Sequence, residues 1–498
     1  MQEPDKMQNT PRGYRRFNKG WLIVLTVCLI VGLLLAGVAY TQRHQIHQLL
    51  QGLREPPVQA VHITPLTLPP ATMTTTTGSV AETDWTTYHK NNARSGFVAG
   101  TPDPTALKNL WKQPLDGAVY AEPLVVGGQL IVVTEQDSIY SLNAKTGQIA
   151  WHTNVGTPVP LSDLPCGNID PLGITGTPVY DPQTGLVFAV AEIQGPAHVL
   201  LGVDVKTGQV KVRRVVDPAG IDPRAYQQRA ALALYGGKIY IAFGGLYGDC
   251  SDYRGMVVAS RTDGTGSLLI YQVPTSREGG IWEPAGPTVD SHGDLYVSVG
   301  NGAATGGSWD HTDSVLKLSP DLQLEDAFAP QRWAQDNAND LDLSSLGPVF
   351  LPNGFIFIQG KSNQGYVLQA NHLGGVGGQV QTISVCGAGA YGGAAVNGSV
   401  AFIPCADGLR EIQLGSGGTL LAGWQASGQV TGSPVIGGNT IYSLNPGGGT
   451  LYALDATTGS VRATISVGTS SRFATPTLFQ NTIFVGTLTG IVAVQIIT

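Results

Sequence analysis

One hairpin, met twice, constrains this chain more than any other feature. Residues 139–151 read IYSLNAKTGQIAW and residues 451–463 read LYALDATTGSVRA. In each, apolar residues alternate into a turn that carries a glycine, Gly147 or Gly459, and a second alternating run leaves it. Alternation at period two is the pattern of a half-buried strand, and glycine supplies the positive φ of a tight reversal. One such hairpin cannot bury its own faces, so copies about three hundred residues apart mark a stacked repeat.

The intervening sequence keeps one grammar. A Pro-hydrophobic pair opens a strand, a Gly-Gly or Asn-Gly turn follows, and a strand with Tyr or Phe comes next. Openings fall at Pro123, Pro178, Ala231, Pro287, Pro348, Ala395, Pro434 and Pro476. Their spacing of 39 to 61 residues suits loop insertions on a common unit. Eight four-stranded units predict an all-β fold, an eight-bladed β-propeller over residues 84–498. The last unit lacks a strand, and residues 106–114 (ALKNLWKQP) can supply it, which closes the ring and removes exposed edges. A row of separate β-sandwiches accounts poorly for a single grammar.

The 66 glycines and 31 prolines spread between short Val/Ile/Tyr runs are those of a turn-rich β protein. A net charge of -7 lacks the basic face that nucleic acid requires, so no nucleic-acid partner is expected. His44 and His47 stand three apart in a segment that reads as a solvated helix face, and no Cys-x-x-Cys-His sequence occurs, so haem is not expected.

The first 20 residues form a basic tail with Lys6, Arg12, Arg15, Arg16 and Lys19, followed by an uncharged run, residues 21–40 (WLIVLTVCLIVGLLLAGVAY). Its length matches a transmembrane helix, and the preceding positive charge places the N-terminus in the cytoplasm and the rest outside the cell membrane. A cleaved signal peptide ending near Gly37-Val-Ala39 is the alternative, but the run exceeds a signal's apolar core. Residues 41–83, with Pro56-Pro57, Pro69-Pro70 and four consecutive threonines, read as an extended linker. Beyond Cys28 four cysteines remain, an even number that suits disulfides in an exported domain. Cys386 and Cys405 flank neighbouring strands of one blade and are expected to pair, with Cys166 and Cys250 as the second bridge.

The hairpin at Ala144–Trp151, its echo at residues 454–459 and a third copy at residues 203–210 resemble the tryptophan-docking repeat of the pyrroloquinoline quinone (PQQ) propellers. In that family the glycine makes the turn and the tryptophan packs between blades. Asp84-Trp-x-x-Tyr88 and Asn92-Ala-Arg-Ser-Gly96 resemble the opening of exported members. For the dehydrogenases of the family, the resemblance implies PQQ and calcium in the propeller mouth and oxidation of alcohols or sugars. It places Trp282 beneath the quinone, Asn301 on the calcium and Lys361 at the quinone oxygens, where an ammonium would stabilise developing negative charge. Asp340 is a second candidate metal ligand, and Asp336, Asp340 and Asp342 are the candidate catalytic bases.

The sequence departs from that pattern in several places. No adjacent cysteine pair exists, the third-blade Gly-rich stretch 244–250 (GGLYGDC) lacks a Glu, and Asn337 stands where the base is expected. An amide cannot take a substrate proton. The asparagines around Asp336–Asp342 suggest a solvated polar loop, and Asp310, His311 and Asp313 beside Gly306-Gly307 suggest another. Gly360-Lys361-Ser362 is no phosphate loop, because Gly354 lies one residue too far upstream and a strand-like FIFIQ intervenes. No Gly-x-Ser-x-Gly elbow appears. These departures favour a binding or protein-interaction module, with envelope proteins as partners, over the alternative of a PQQ- and calcium-dependent dehydrogenase with an altered site.

Overall fold

The computed structural model describes residues 84–498. The basic tail, the apolar run 21–40 and the linker 41–83 lie outside the described residues. Among the described residues no helix is long and apolar enough to cross a membrane.

Eight sheets form the eight blades of a β-propeller. Every expected opening immediately precedes or begins a blade's first strand, from Leu124–Val126 in blade 1 to Thr477–Phe479 in blade 8, with one extra residue intervening before Ala233–Tyr235 in blade 3. Blade 8 takes its outer strand from Ala106–Pro114, which pairs antiparallel with Gly490–Ile497 from Ala106↔Ile497 to Pro114↔Gly490. The ring is thus closed by chain from its two ends, as expected from the missing strand.

The repeated hairpin does its work at the seams between blades. Gly147, Gly208 and Gly459 have φ of +73°, +73° and +70°. A Cβ on them would lie 2.7, 2.8 and 2.4 Å from the rings of Trp111, Trp151 and Trp424, each on the outer strand of the preceding blade. Glycine therefore serves twice, for the left-handed turn and for the close approach of the indole. Trp151 and Trp424 also donate Nε1–H to the carbonyls of Val205 (3.0 Å) and Ala456 (3.1 Å) in the next blade. At the following seam Val212 takes the tryptophan's place, in contact with Gly264.

Residues 84–98 form a plug across the central channel. Trp85 pairs with Val125 of blade 1, and Tyr180 N donates to Thr86 O in blade 2. The Asn92 carbonyl accepts from Val289 N in blade 4, that of Ser95 from Val396 N in blade 6, and that of Gly96 from Ile436 N in blade 7. Tyr88 Oη bonds Thr475 Oγ1, beside the first strand of blade 8. Arg94, 4% exposed, donates to Thr87 Oγ1, Tyr88 O, Leu232 O and Pro287 O, reaching the strands of blades 3 and 4. Fifteen or so residues thereby hold the inner strands of most of the ring.

Both disulfides form, Cys166–Cys250 and Cys386–Cys405. The second differs in place from the expectation. Cys386 follows the strand Gln381–Ile383 of blade 5 and Cys405 follows Val400–Ile403 of blade 6, so the bridge crosses a seam instead of joining strands of one blade.

Candidate functional site

Above the plug lies a cavity of about 820 Å³, of the size that small-molecule sites occupy. Tyr88 of the plug lines it, together with segments that lead into the first strands of several blades. Of the residues singled out from sequence, Trp282, Asp340, Asp342 and Lys361 line this cavity, and Asn301 and Asp336 do not.

Trp282 is held from several directions. A Cβ on Gly244, Gly280 or Gly300 would lie 2.7, 2.1 or 2.6 Å from its six-membered ring, so three glycine backbones close on it. Its Nε1–H points to Asp342 Oδ1 at 3.4 Å, its N–H to Ser344 Oγ at 3.3 Å, and its carbonyl accepts from Arg229 Nε at 3.0 Å. The ring remains half-buried, part of it presented to the cavity.

Beside the indole stands a charged trio. Lys361 Nζ lies 2.7 Å from Asp340 Oδ1 and 2.7 Å from Asp342 Oδ2. Asp342 is fully buried, and burial pushes its carboxyl up while Lys361 pulls it back. Burial works against the charge of Lys361, but the two aspartates outweigh it and hold the ammonium above its ordinary value. Lys361 is therefore a paired group, not the solvated one its exposed-looking loop suggests.

The cavity lining also carries two arginines that sequence reasoning missed. The Arg229 guanidinium lies 4.7 Å over the Phe473 ring and that of Arg472 lies 3.9 Å over Tyr391, both cation–π contacts. Burial lowers Arg229 to about 10, with Asp342 and Asp249 opposing that shift. A positional signal was present: Tyr120, Thr175, Pro284, Ser345 and Phe473 each line the cavity and each stand three residues before a blade opening. Arg229 and Arg472 lie within one residue of that phase.

The remaining candidates have other work. Residues Trp333–Ala338 form a short helix, not a solvated loop. Asp336, 2% exposed, pairs with Arg332 Nε at 2.7 Å. Asn337 is fully used: Nδ2 donates to Ala304 O and Thr312 Oγ1, both at 2.8 Å, and Oδ1 accepts from Gly302 N at 3.0 Å. Asp313 is also no surface residue, being 1% exposed and accepting from Leu343 N at 2.8 Å. Local polarity misled in both loops because tertiary bonds, which sequence spacing does not display, satisfy these polar groups.

This arrangement suits a planar anion. An indole face, an ammonium and two guanidinium groups converge on one cavity, which matches the ring and acidic groups of a quinone such as PQQ. The donor set does not suit calcium. Among the described residues no group of three or more His, Cys, Asp or Glu side chains stands as a metal cage. Of the three aspartates in the lining, Asp340 and Asp342 are already bridged by Lys361 and Asp249 accepts from Tyr253 Oη, while the Oδ1 of Asn301 is buried without a partner outside the cavity lining.

Fold and cavity together define an eight-bladed propeller with a stoppered channel and a small-molecule cup at its mouth. Residues 101–243 match the family model described as outer membrane protein assembly factor BamB. A polyvinylalcohol dehydrogenase of Sphingopyxis sp. (strain 113P3) is 26% identical over 287 residues, which is 50% of this chain and 40% of that protein. Among solved structures, quinohemoprotein alcohol dehydrogenase from Comamonas testosteroni superposes with a TM-score of 0.66 at 15% identity, covering 83% of this chain and 80% of that one. BamB from Moraxella catarrhalis superposes with a TM-score of 0.52 at 15% identity, covering 78% and 99%. The shared fold and the family-model match over residues 101–243 support a PQQ-like β-propeller.

Proposed function

We propose that the propeller mouth holds a planar, polyanionic redox cofactor of the PQQ class, and that the chain is an exported oxidoreductase of hydroxyl-bearing substrates. The observation that carries this is Trp282, seated on glycine backbone with part of its ring in a cavity that three cations share. A bound quinone would supply a two-electron acceptor. Trp282 would stack against it, and Arg229 and Arg472 would meet its acidic groups. Asp342 is the candidate base, since it lies beside the indole that would bear the ring and Lys361 opposes the rise that burial imposes on its carboxyl. Asp340 is the more exposed second candidate. The name of the Sphingopyxis relative supports an alcohol, polymeric or small, as substrate.

The apolar run 21–40 and the two disulfides support display outside the cell membrane on an uncleaved anchor. Protease digestion of intact cells that spares the chain would refute that placement.

The cofactor reading is tested by titrating PQQ into the purified full-length chain while following tryptophan emission, and by dye reduction with alcohols, sugars and polyvinyl alcohol. Saturable quenching that Trp282→Ala abolishes is expected. Absence of both quenching and turnover would leave the second reading, an envelope-assembly module. That reading is favoured by the family match over residues 101–243 and by the missing cysteine pair and third-blade Glu. Co-purification with outer-membrane assembly proteins would then be the expected result.

A further inference from the structure

The cup supplies its own cation where a metal ion would otherwise sit, and this bears on how any ligand is held there. We propose that the Lys361 ammonium, clamped between Asp340 and Asp342, replaces a divalent ion, so that a planar anionic ligand binds this site without metal. The inference rests on the cofactor reading above and deepens it.

Three observations converge. Lys361 Nζ lies 2.7 Å from one oxygen of each aspartate, the position in which a cation shared by two carboxylates would stand. Asp342 is fully buried, so its charge needs a resident partner at all times, and an ammonium on the chain provides it without an equilibrium of binding. A hard divalent ion takes six or more oxygens. Here no third carboxylate groups with the two, Asp249 of the same cavity being bonded by Tyr253 Oη, and the partnerless Oδ1 of Asn301 is not part of the lining. A calcium ion entering between Asp340 and Asp342 would have to expel Lys361 into a cavity where Arg229 already suffers from burial and from the nearby Arg472. A divalent ion would add two charges to a lining where Lys361, Arg229 and Arg472 already match Asp249, Asp340 and Asp342 in number.

Lys361 acts on the ligand through one remaining N–H direction and through its field. It holds Asp342 beside the Trp282 N–H, so the indole plane and the ammonium are fixed relative to one another by the same carboxylate. That coupling makes Lys361 both a ligand contact and a positioning residue for the stacking platform.

The test titrates PQQ into the full-length chain, once after exhaustive EDTA treatment and once in millimolar calcium, by calorimetry and tryptophan emission. Kd is expected to agree within about threefold between the two. Lys361→Met leaves a buried carboxylate unpaired and can unfold the chain, so the double variant Lys361→Met/Asp342→Asn is the informative one. It should fold, and it should weaken PQQ by about tenfold or more, the loss of one charge-assisted hydrogen bond. Lys361→Arg should recover most of that affinity. Binding that strengthens more than about tenfold with calcium would overturn this inference and leave the quinone reading intact. A double variant that binds as tightly as the parent would also overturn it. No binding in either buffer would remove both.

Discussion

Replacing Arg94 with methionine is the most direct probe of how the ring is held. Methionine keeps an unbranched apolar stem of similar reach and removes only the guanidinium. Four hydrogen bonds go with it, to Thr87 Oγ1 (2.7 Å), Tyr88 O (3.3 Å), Leu232 O (3.1 Å) and Pro287 O (3.0 Å). At about 1.5–3 kcal/mol for each bond from a charged donor, the gross loss is on the order of 6–12 kcal/mol. Against it stands relief of a buried charge, worth several kcal/mol, since burial already lowers Arg94 to about 10. The net is a destabilisation of about 3–5 kcal/mol, carried by the plug and therefore shared by several blades. Urea unfolding followed by tryptophan emission reads it as a lower midpoint, with the exposed Arg254→Met as a control expected within about 0.5 kcal/mol of the parent. A loss under about 1 kcal/mol with an unchanged slope would mean that the plug is an ornament of the channel and does not hold the blades.

Other outcomes follow from the same geometry. Trp151→Ala empties the seam over Gly208 and removes the bond to Val205, and should cost about 3–5 kcal/mol by urea midpoint; Trp151→Val, which copies the natural Val212 seam, should cost less. Burial raises Glu135 and Glu283 to about 8, so between about pH 5 and 8 the folded chain keeps protons that the unfolded chain has released. His198 is opposed by its own burial, but Glu192 and Asp217 raise it to about 10, which adds the same sign above its ordinary value. Stability should therefore fall as pH rises from 5 to 9, by about 1.4 kcal/mol per pH unit for each titrating group, and a Tm that is flat or climbs over that range would contradict the assignment. The Cys166–Cys250 bridge closes a separation of 84 residues, so Cys166→Ser/Cys250→Ser should lower the urea midpoint by up to about 4 kcal/mol. Because Asn168, Ile169 and Tyr247 on the bridged loops line the cavity, the same variant should also weaken PQQ quenching.

The fold was legible because its signals are local. A turn glycine, an alternating run and an opening Pro lie within one unit, and eight units average out the decay of any single copy, Val212 included. The missing strand of blade 8 could be assigned because a closed ring leaves one vacancy and residues 106–114 were the unassigned alternating run. The site was legible only where a single motif carried it, as at Trp282 and Lys361. Arg229 and Arg472 went unseen because their partners, Phe473 and Tyr391, come from other blades, and only the phase of each residue against its blade opening brings them together. Asp313 and Asn337 failed in the opposite direction. Each sits in a polar stretch that looks solvated, and each is buried by bonds to residues about thirty positions away.

The departures that favour a binding module when counted along the sequence weigh differently once their places are known. Asn337 holds the backbone at Gly302 and Ala304 and has no access to the cavity, so its failure to be a base says nothing about whether a base is present. Asp342, two residues beyond Asp340, occupies the cavity beside the indole instead. The absent third-blade Glu matters only if an ion must be held, and Lys361 between the two aspartates already offsets one of their charges without one. In the same lining Arg229 and Arg472 stack on aromatic rings and form no ion pair. Two guanidinium groups without an ion-pair partner give the cup a positive polarity beside the Lys–Asp trio. A partner protein would meet that polarity through an acidic side chain at most, reaching past the rim. A planar polyanion of the proposed class would meet both arginines with its acidic edge while its ring stacks on Trp282, which favours that reading over a flat interaction surface.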